Sequence, residues 1–239
     1  TADFIYGAEG QRVVQLVGTG PGAPGSESNQ TLSRTVYVGL GATGKSAYER
    51  TTRGSTIEHA HFIYAGGAHG GSAFAIHVVT ENTSSSSATS RTDYHHFDHL
   101  GSVVTVTDGR GHLTSAAWGG PGASIVGYDP WGAIRSPSGH TADPTTFASP
   151  AGSRGFTDHE AIASLGLVNM TGRIYDPAVG RFLSPDPNVQ FASDLQSYNR
   201  YSYAGGNPLR YIDPTGYQVK ERSYWGDILS DMGGWGGVA

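Results

Sequence analysis

The chain contains no cysteine. That excludes disulfides, thiol nucleophiles and Cys-ligated zinc. Cations are also scarce: 15 Lys plus Arg face 20 Asp plus Glu, for a formal net charge of −5. No basic field is available to hold a phosphate backbone, so nucleic-acid binding is not expected as the main role. No apolar run approaches the roughly 18 residues of a membrane helix, so no membrane span is expected, and no signal peptide is visible. What the chain has in excess is glycine, 36 of its 239 residues, about twice the usual share. Tyr, at 13, outnumbers Phe, at 8. Gly-rich, Tyr-rich sequence with short β-branched runs points to an all-β architecture with many tight turns.

The length allows one large domain or two small ones. The opening "TADFIYGAEGQRVVQL" begins at Thr1 in mid-pattern and reads as an excerpt of something longer. Its "FIYG" and "QRVVQL" form a hairpin about "AEG". Gly18 to Gln30 is a Gly, Pro and Ser-rich loop. "TVYVGL", "STIEHAHFIYAGG" and "AFAIHVVTE" read as strands, with "NTSSSSATS" as a polar loop after them. One unit then recurs: a Tyr or other strand residue, Asp, two or three residues, Gly, then a basic or apolar strand. It is seen at Tyr128-Asp129…Gly132, Tyr175-Asp176…Gly180 and Ile212-Asp213…Gly216, and loosely at Tyr6-Gly7…Gly10. Leu100-Gly101 and Asp108 to Gly111 mark further turns between strands. Such repetition indicates repeat architecture, because a single hairpin cannot bury a face alone whereas stacked hairpins can.

Helical signal is sparse. Ser193 to Ala204, "SDLQSYNRYSYA", starts with a capping-type Ser and places Leu195, Tyr198, Tyr201 and Ala204 at helical spacing. "DHEAIASLGLV" reads as a second short turn, and "SYWGDILSDM" as a third, weaker one.

Two groups of residues carry possible chemistry. "DYHHFDHLG" holds His95, His96, Asp98 and His99. On a strand His95 and His99 share one face, with His96 and Asp98 opposite. His59 and His61 make a similar pair. Spacing places no third ligand, so these read as hydrogen-bonded structural histidines, with no metal expected. No G-x-S-x-G motif is present, which argues against a Ser-His-Asp hydrolase. The second group is the Asp-Pro series: Asp129, Asp143, Asp176, Asp186 and Asp213. Asp before Pro is first of all a turn starter. Two such carboxylates brought together would nevertheless make an acid pair, one ionised and one protonated, able to activate water without a cofactor. Arg181, shortly before Asp186, is the candidate cation to orient one of them or to stabilise an oxyanion. Arg173 and Arg210 read as surface or packing residues.

"HHFDHLGSVVTVTD", "YDPWG", "NMTGRIYDPAVGRFLSPDP" and "LQSYNRYSYAGGNPLRYIDPTGY" occur in this order over roughly Tyr94 to Tyr217. Together they resemble the repeat-associated core of Rhs and YD-repeat proteins, a family that includes polymorphic toxins and the C component of insecticidal toxin complexes. The resemblance implies YD-type hairpins in a spiralling β-shell, closed by a C-terminal plug with short helices. It divides the chain into degenerate repeats (1–93), the core (94–217) and the start of a variable cargo (218–239). It further implies autoproteolysis just after the "DPTGY" motif, at the Tyr217–Gln218 bond, by an aspartyl-type mechanism. Asp186 and Asp213 would then be catalytic, assisted by Arg181, with Pro214 and Gly216 shaping the turn. No cofactor is needed. The implied partners are the chain's own C-terminal toxin segment, upstream shell repeats, and a delivery or immunity protein. The implied location is secreted or at a bacterial cell surface. Three departures stand out: the first motif reads "DPNVQ", Asp186 and Asp213 are 27 positions apart, slightly more than expected, and Tyr217 occupies a position where Leu is usual. The alternative is a non-cleaving structural β-repeat module that binds carbohydrate or protein.

Overall fold

Aspartate turns organise the chain. At Asp98, Asp108 and Asp129 the side-chain Oδ1 accepts from the N–H groups two and four residues on. In each case the Asp N–H closes the loop on the carbonyl four residues later, and a positive-φ glycine sits third after the Asp. The carboxylate stands in for a missing backbone partner, and glycine takes the left-handed position without a Cβ clash.

The computed structural model describes residues 2–7, 12–19, 30–39, 47–64, 72–114, 126–135, 154–162 and 165–221. The loop assigned to Gly18–Gln30 lies largely outside these residues, as does the C-terminal "SYWGDILSDM". Eight antiparallel strands form one meander in strict chain order. They are β1 (Ala2–Tyr6), β2 (Arg12–Thr19), β3 (Gln30–Val38), β4 (Tyr48–Arg53), β5 (Thr56–Tyr64), β6 (Ala73–Asn82), β7 (Ser87–Phe97) and β8 (Val103–Thr107). A short hairpin follows, β9 (Gly127–Tyr128) with β10 (Ile134–Arg135). A second meander of four strands comprises β11 (Glu160–Ile162), β12 (Leu167–Asn169), β13 (Ile174–Asp176) and β14 (Arg181–Phe182). The last pair is β15 (Tyr211–Ile212) with β16 (Lys220–Glu221). The all-β expectation holds.

Alternation decides the faces. On β5 and β6, Ala60 and Phe62 sit opposite Val78 and Ile76, and all four are buried in one cluster. The second core is aromatic: Phe156, Tyr175, Phe182 and Tyr203 pack with Val168, Met170 and Ala204. Tyr175 and Tyr203 have ring centroids 4.7 Å apart, and the Tyr175 hydroxyl donates to the Trp131 carbonyl at 2.7 Å. The edge strand β8 is covered rather than left open, since Val103 N–H donates to Gly155 O and Val126 N–H to Val104 O. Between the large sheet and the four-stranded meander lies a buried charged layer. Arg12 pairs with Glu160, Arg154 with Glu49, and the Tyr37 hydroxyl donates to Glu160 Oε1 at 2.6 Å.

Several local expectations change. "SATS" belongs to β7, so the polar loop shrinks to a turn after Asn82. β4 was not anticipated, because "YERTTR" lacks an apolar alternation. "HEAIASLGLV" supplies β11 and β12 rather than a helical turn; a short 3-10 turn occupies Phe156–Asp158 instead. The stretch Ser193–Ala204 forms only a 3-10 turn over Leu195–Tyr198, capped by Asp194 and not by Ser193. Its Leu195 is 88% exposed, so the helical spacing faces no core. The Arg200 and Tyr201 carbonyls accept instead from Asp186 N–H and Phe182 N–H, which ties this stretch across to the β14 segment. The division at 93/94 falls within β7, inside a continuous sheet.

Candidate functional site

Two turns dock face to face. One, Met170 to Arg173, links β12 to β13; the other, Asp213 to Tyr217, follows β15. Gly172 N–H donates to Thr215 O at 2.9 Å, and the Tyr217 hydroxyl donates to Gly172 O at 2.7 Å. Gly216 has φ 76°, and a Cβ there would lie 2.3 Å from Met170 O. Only glycine permits this approach. A Cβ on Gly172 would meet the Tyr217 ring at 2.2 Å, so the aromatic ring has its own seat.

This docking brings Asp186 and Asp213 to one cation. Arg173 Nη2 lies 3.1 Å from Asp186 Oδ2 and 3.2 Å from Asp213 Oδ2. All three side chains are buried: Asp213 is 0% exposed, and Asp186 and Arg173 are each 4% exposed. The rest of the guanidinium is also engaged. Nε donates to Gly216 O and Nη1 to Arg200 O at 3.0 Å, while the Phe182 ring stacks 3.6 Å away.

The cation is therefore Arg173, which the sequence assigned to packing, and not Arg181. Strand alternation explains the exchange. On β14 Phe182 points into the core beneath Arg173, so its neighbour Arg181 points out to solvent. Among the described residues, Arg181 makes no ion pair with either aspartate. Arg210 stays on the surface and pairs with Glu221.

Two carboxylates share one guanidinium, so full ionisation would leave a surplus negative charge out of water. Burial raises the Asp213 carboxyl above its ordinary value of 3.8, against N–H donation from Gln218 and the attraction of Arg173. Keeping a proton on an ordinary aspartate at neutral pH costs about 4 kcal/mol. Burying an unpaired carboxylate costs several kcal/mol. Burial therefore shifts Asp213 towards its protonated form relative to water.

The candidate bond runs directly over these groups. Gln218 N–H donates to Asp213 Oδ1 at 2.8 Å. Gln190, from the "DPNVQ" segment, donates Nε2 to Tyr217 O at 2.9 Å and accepts Val219 N–H on Oε1 at 2.8 Å. A cavity of about 240 Å³, lined in part by Asp186, Gln190, Arg200 and Val219, opens beside Asp186. Neither Arg173 nor Gln190 was singled out by the sequence. The "TGR" before a YD strand was the available signal for Arg173.

The histidines do not assemble. β7 ends at Phe97, so Asp98 and His99 lie in a turn and do not share strand faces with His95 and His96. His95 is buried, His96 meets the Thr107 hydroxyl, and Asp98 serves its own turn. Among the described residues, no group of three His, Asp or Glu is placed to hold a metal.

No protein-family model matches the chain. Over 61 residues it is 43% identical to salivary gland surface protein 1 of Aedes aegypti, covering 26% of this chain and 2% of that protein. It is 27% identical over 126 residues to the tRNA(Glu)-specific nuclease WapA of Bacillus subtilis subsp. natto, 53% of this chain and 5% of that one. It is 34% identical over 121 residues to double-stranded DNA deaminase toxin A of Burkholderia cenocepacia, 51% of this chain and 7% of that one. The chain thus spans only a few per cent of each relative's length. A solved TcdB2–TccC3 structure without its hypervariable C-terminal region superposes on 90% of this chain, with a TM-score of 0.55 at 19% identity, over 9% of its own length. The chain is thus similar to Rhs-type, toxin-related proteins, and its fold is like theirs. Its sheets are those of an Rhs-type shell, and the paired turns lie at the C-terminal end of the described Rhs-type fold. Among the described residues no helix is long and apolar enough to cross a membrane.

Proposed function

We propose that this chain is the closing end of an Rhs-type shell that cuts its own backbone between Tyr217 and Gln218. The observation that carries the proposal is the position of Asp213. One of its oxygens shares an Arg173 nitrogen with Asp186, and the other holds the N–H of Gln218. Asp186, beside the cavity, takes a proton from water, and the water adds to the Tyr217 carbonyl carbon. Asp213, carrying the proton that burial favours, delivers it to the Gln218 nitrogen as the bond breaks. Arg173 holds both carboxylates and the Gly216 carbonyl in place. The tether replaces a diffusing substrate, which removes the entropy of encounter. Pro214 and Gly216 shape the turn that presents the bond. The boundary at 217/218 then separates plug from cargo, whereas 93/94, within β7, is a change of sequence pattern only. Relatives named for a nuclease and for a deaminase each match over about half of this chain. The cargo and the upstream repeats are the partners, with a delivery or immunity protein beyond them, at a secreted or cell-surface location.

A second reading has its own support: Asp98, Asp108 and Asp129 use the same carboxylate-to-backbone turn without any cut. In that reading the plug is a structural closure that binds protein or carbohydrate. Intact-mass measurement of the full chain decides between them. Cleavage of the wild type after Tyr217, absent in Asp213→Asn, supports autoproteolysis; a wild type that stays whole supports the structural closure.

A further inference from the structure

Gln190 lies across both sides of the candidate bond. Its Nε2 donates to Tyr217 O at 2.9 Å and lies 3.3 Å from Asp186 Oδ2. Its Oε1 accepts Val219 N–H at 2.8 Å. The assignment of the two ends is determined by the partners. Val219 N–H can only donate, so the atom facing it is oxygen, and nitrogen faces two acceptors. The side chain acts as one rung of a neighbouring strand and keeps the segment 217–219 extended.

A structural tie alone does not account for this placement. The 186–190 loop is already held without Gln190: Asn188 N–H donates to Asp186 Oδ1 at 2.8 Å, and Arg200 Nε donates to Asp186 O. The atom that Gln190 contacts is the one on which negative charge develops when water adds to a peptide carbonyl.

Building on the cleavage reading, we propose that Gln190 is the oxyanion-stabilising residue of the Tyr217–Gln218 bond. Water adds to the Tyr217 carbonyl carbon, and the displaced electron pair moves onto the Tyr217 oxygen under the Gln190 amide. The pair returns as the C–N bond breaks: Asp213 gives its proton to the Gln218 nitrogen, Asp186 keeps the one taken from water, and the resulting carboxylic acid on Tyr217 and amine on Gln218 then exchange a proton to give carboxylate and ammonium. No other co-reactant is required.

The test follows loss of intact mass in the full chain for wild type, Asp213→Asn, Gln190→Met and Gln190→Glu. Gln190→Met, which removes the donor at similar volume, is expected to slow cleavage about 10²- to 10³-fold with Tm unchanged. Gln190→Glu regains a donor only when protonated, so its rate relative to wild type is expected to climb as pH falls. This pH profile carries the test if Gln190→Met does not fold. If Gln190→Met cuts within a few-fold of wild type while Asp213→Asn is inert, the role of Gln190 is overturned and the cleavage reading stands. A pH-independent ratio for Gln190→Glu overturns it equally. A wild type that stays whole overturns the cleavage reading, and this inference with it.

Discussion

The backbone N–H of Gln218 rests on Oδ1 of Asp213 at 2.8 Å. In the turns at Asp98, Asp108 and Asp129 the carboxylate reaches N–H groups two and four residues on. At Asp213 it reaches those two and five residues on, because one more residue is accommodated beyond Gly216. That extra residue carries the Tyr217–Gln218 peptide over the buried acid pair.

Asp213→Asn is expected to abolish cleavage while keeping the turn, since the Asn Oδ1 still accepts both N–H groups. The stability effect has a definite sign. Burial raises the folded carboxyl above 3.8. The stability it contributes is therefore complete below the unfolded value and is lost as pH rises through the folded one. Asparagine does not titrate, so the variant gains on wild type across that window. Urea midpoints from pH 3 to about 8, alongside intact mass, check both statements.

Arg173→Ala leaves two buried carboxylates without their cation and is expected to cost about 3–5 kcal/mol. Arg173→Lys keeps the charge but loses the fork that reaches Gly216 O and Arg200 O. It is expected to fold and to cut slowly. Arg181→Ala, on the solvent face, is expected to stay within about 0.5 kcal/mol of wild type and to cut normally. Denaturation and cleavage assays of the three variants together test whether Arg173 or Arg181 serves the pair.

Gly216→Ala would force a Cβ into the Met170 carbonyl at a left-handed φ of 76°. A loss of about 1–3 kcal/mol is expected from the backbone alone, with the two turns separated. Gly172→Ala is expected to unseat the Tyr217 ring with less effect on the Asp213 turn. Hydrogen exchange at Gly172 N–H, which donates to Thr215 O, should quicken in both variants.

The charged layer joining the large sheet to the four-stranded meander yields a further test. Arg154→Met leaves Glu49 buried, and burial already raises the Glu49 carboxyl. A loss of about 3–5 kcal/mol is expected. Glu49→Gln added to Arg154→Met should restore much of it, because no unpaired ion then remains. A double-mutant cycle from urea unfolding measures the difference; equal losses in single and double variants would sink this account of the layer.

The repeat turns were legible in the sequence because their chemistry is local. Asp98, Asp108 and Asp129 each satisfy their own backbone within a few residues, and a glycine supplies the required φ. Strands such as β5 and β6 were legible for the same reason, since alternation is a property of one segment. The helical reading of Ser193–Ala204 did not hold: Leu195 faces solvent, and the Arg200 and Tyr201 carbonyls bond to the distant N–H groups of Asp186 and Phe182. Asp186 and Asp213 could be named from their motifs, but nothing local distinguished them from Asp129 or Asp176.

The sequence by itself determined an all-β chain of Asp–Gly turns, with aspartates available in the last of them. Only the tertiary structure decided which aspartates meet, which arginine stands between them and which glutamine spans the bond. The physical reason is that local hydrogen bonds and strand alternation act within a few residues. The meeting of Asp186, Asp213 and Arg173 depends instead on two turns docking across a shared backbone contact, where Gly216 alone permits the approach.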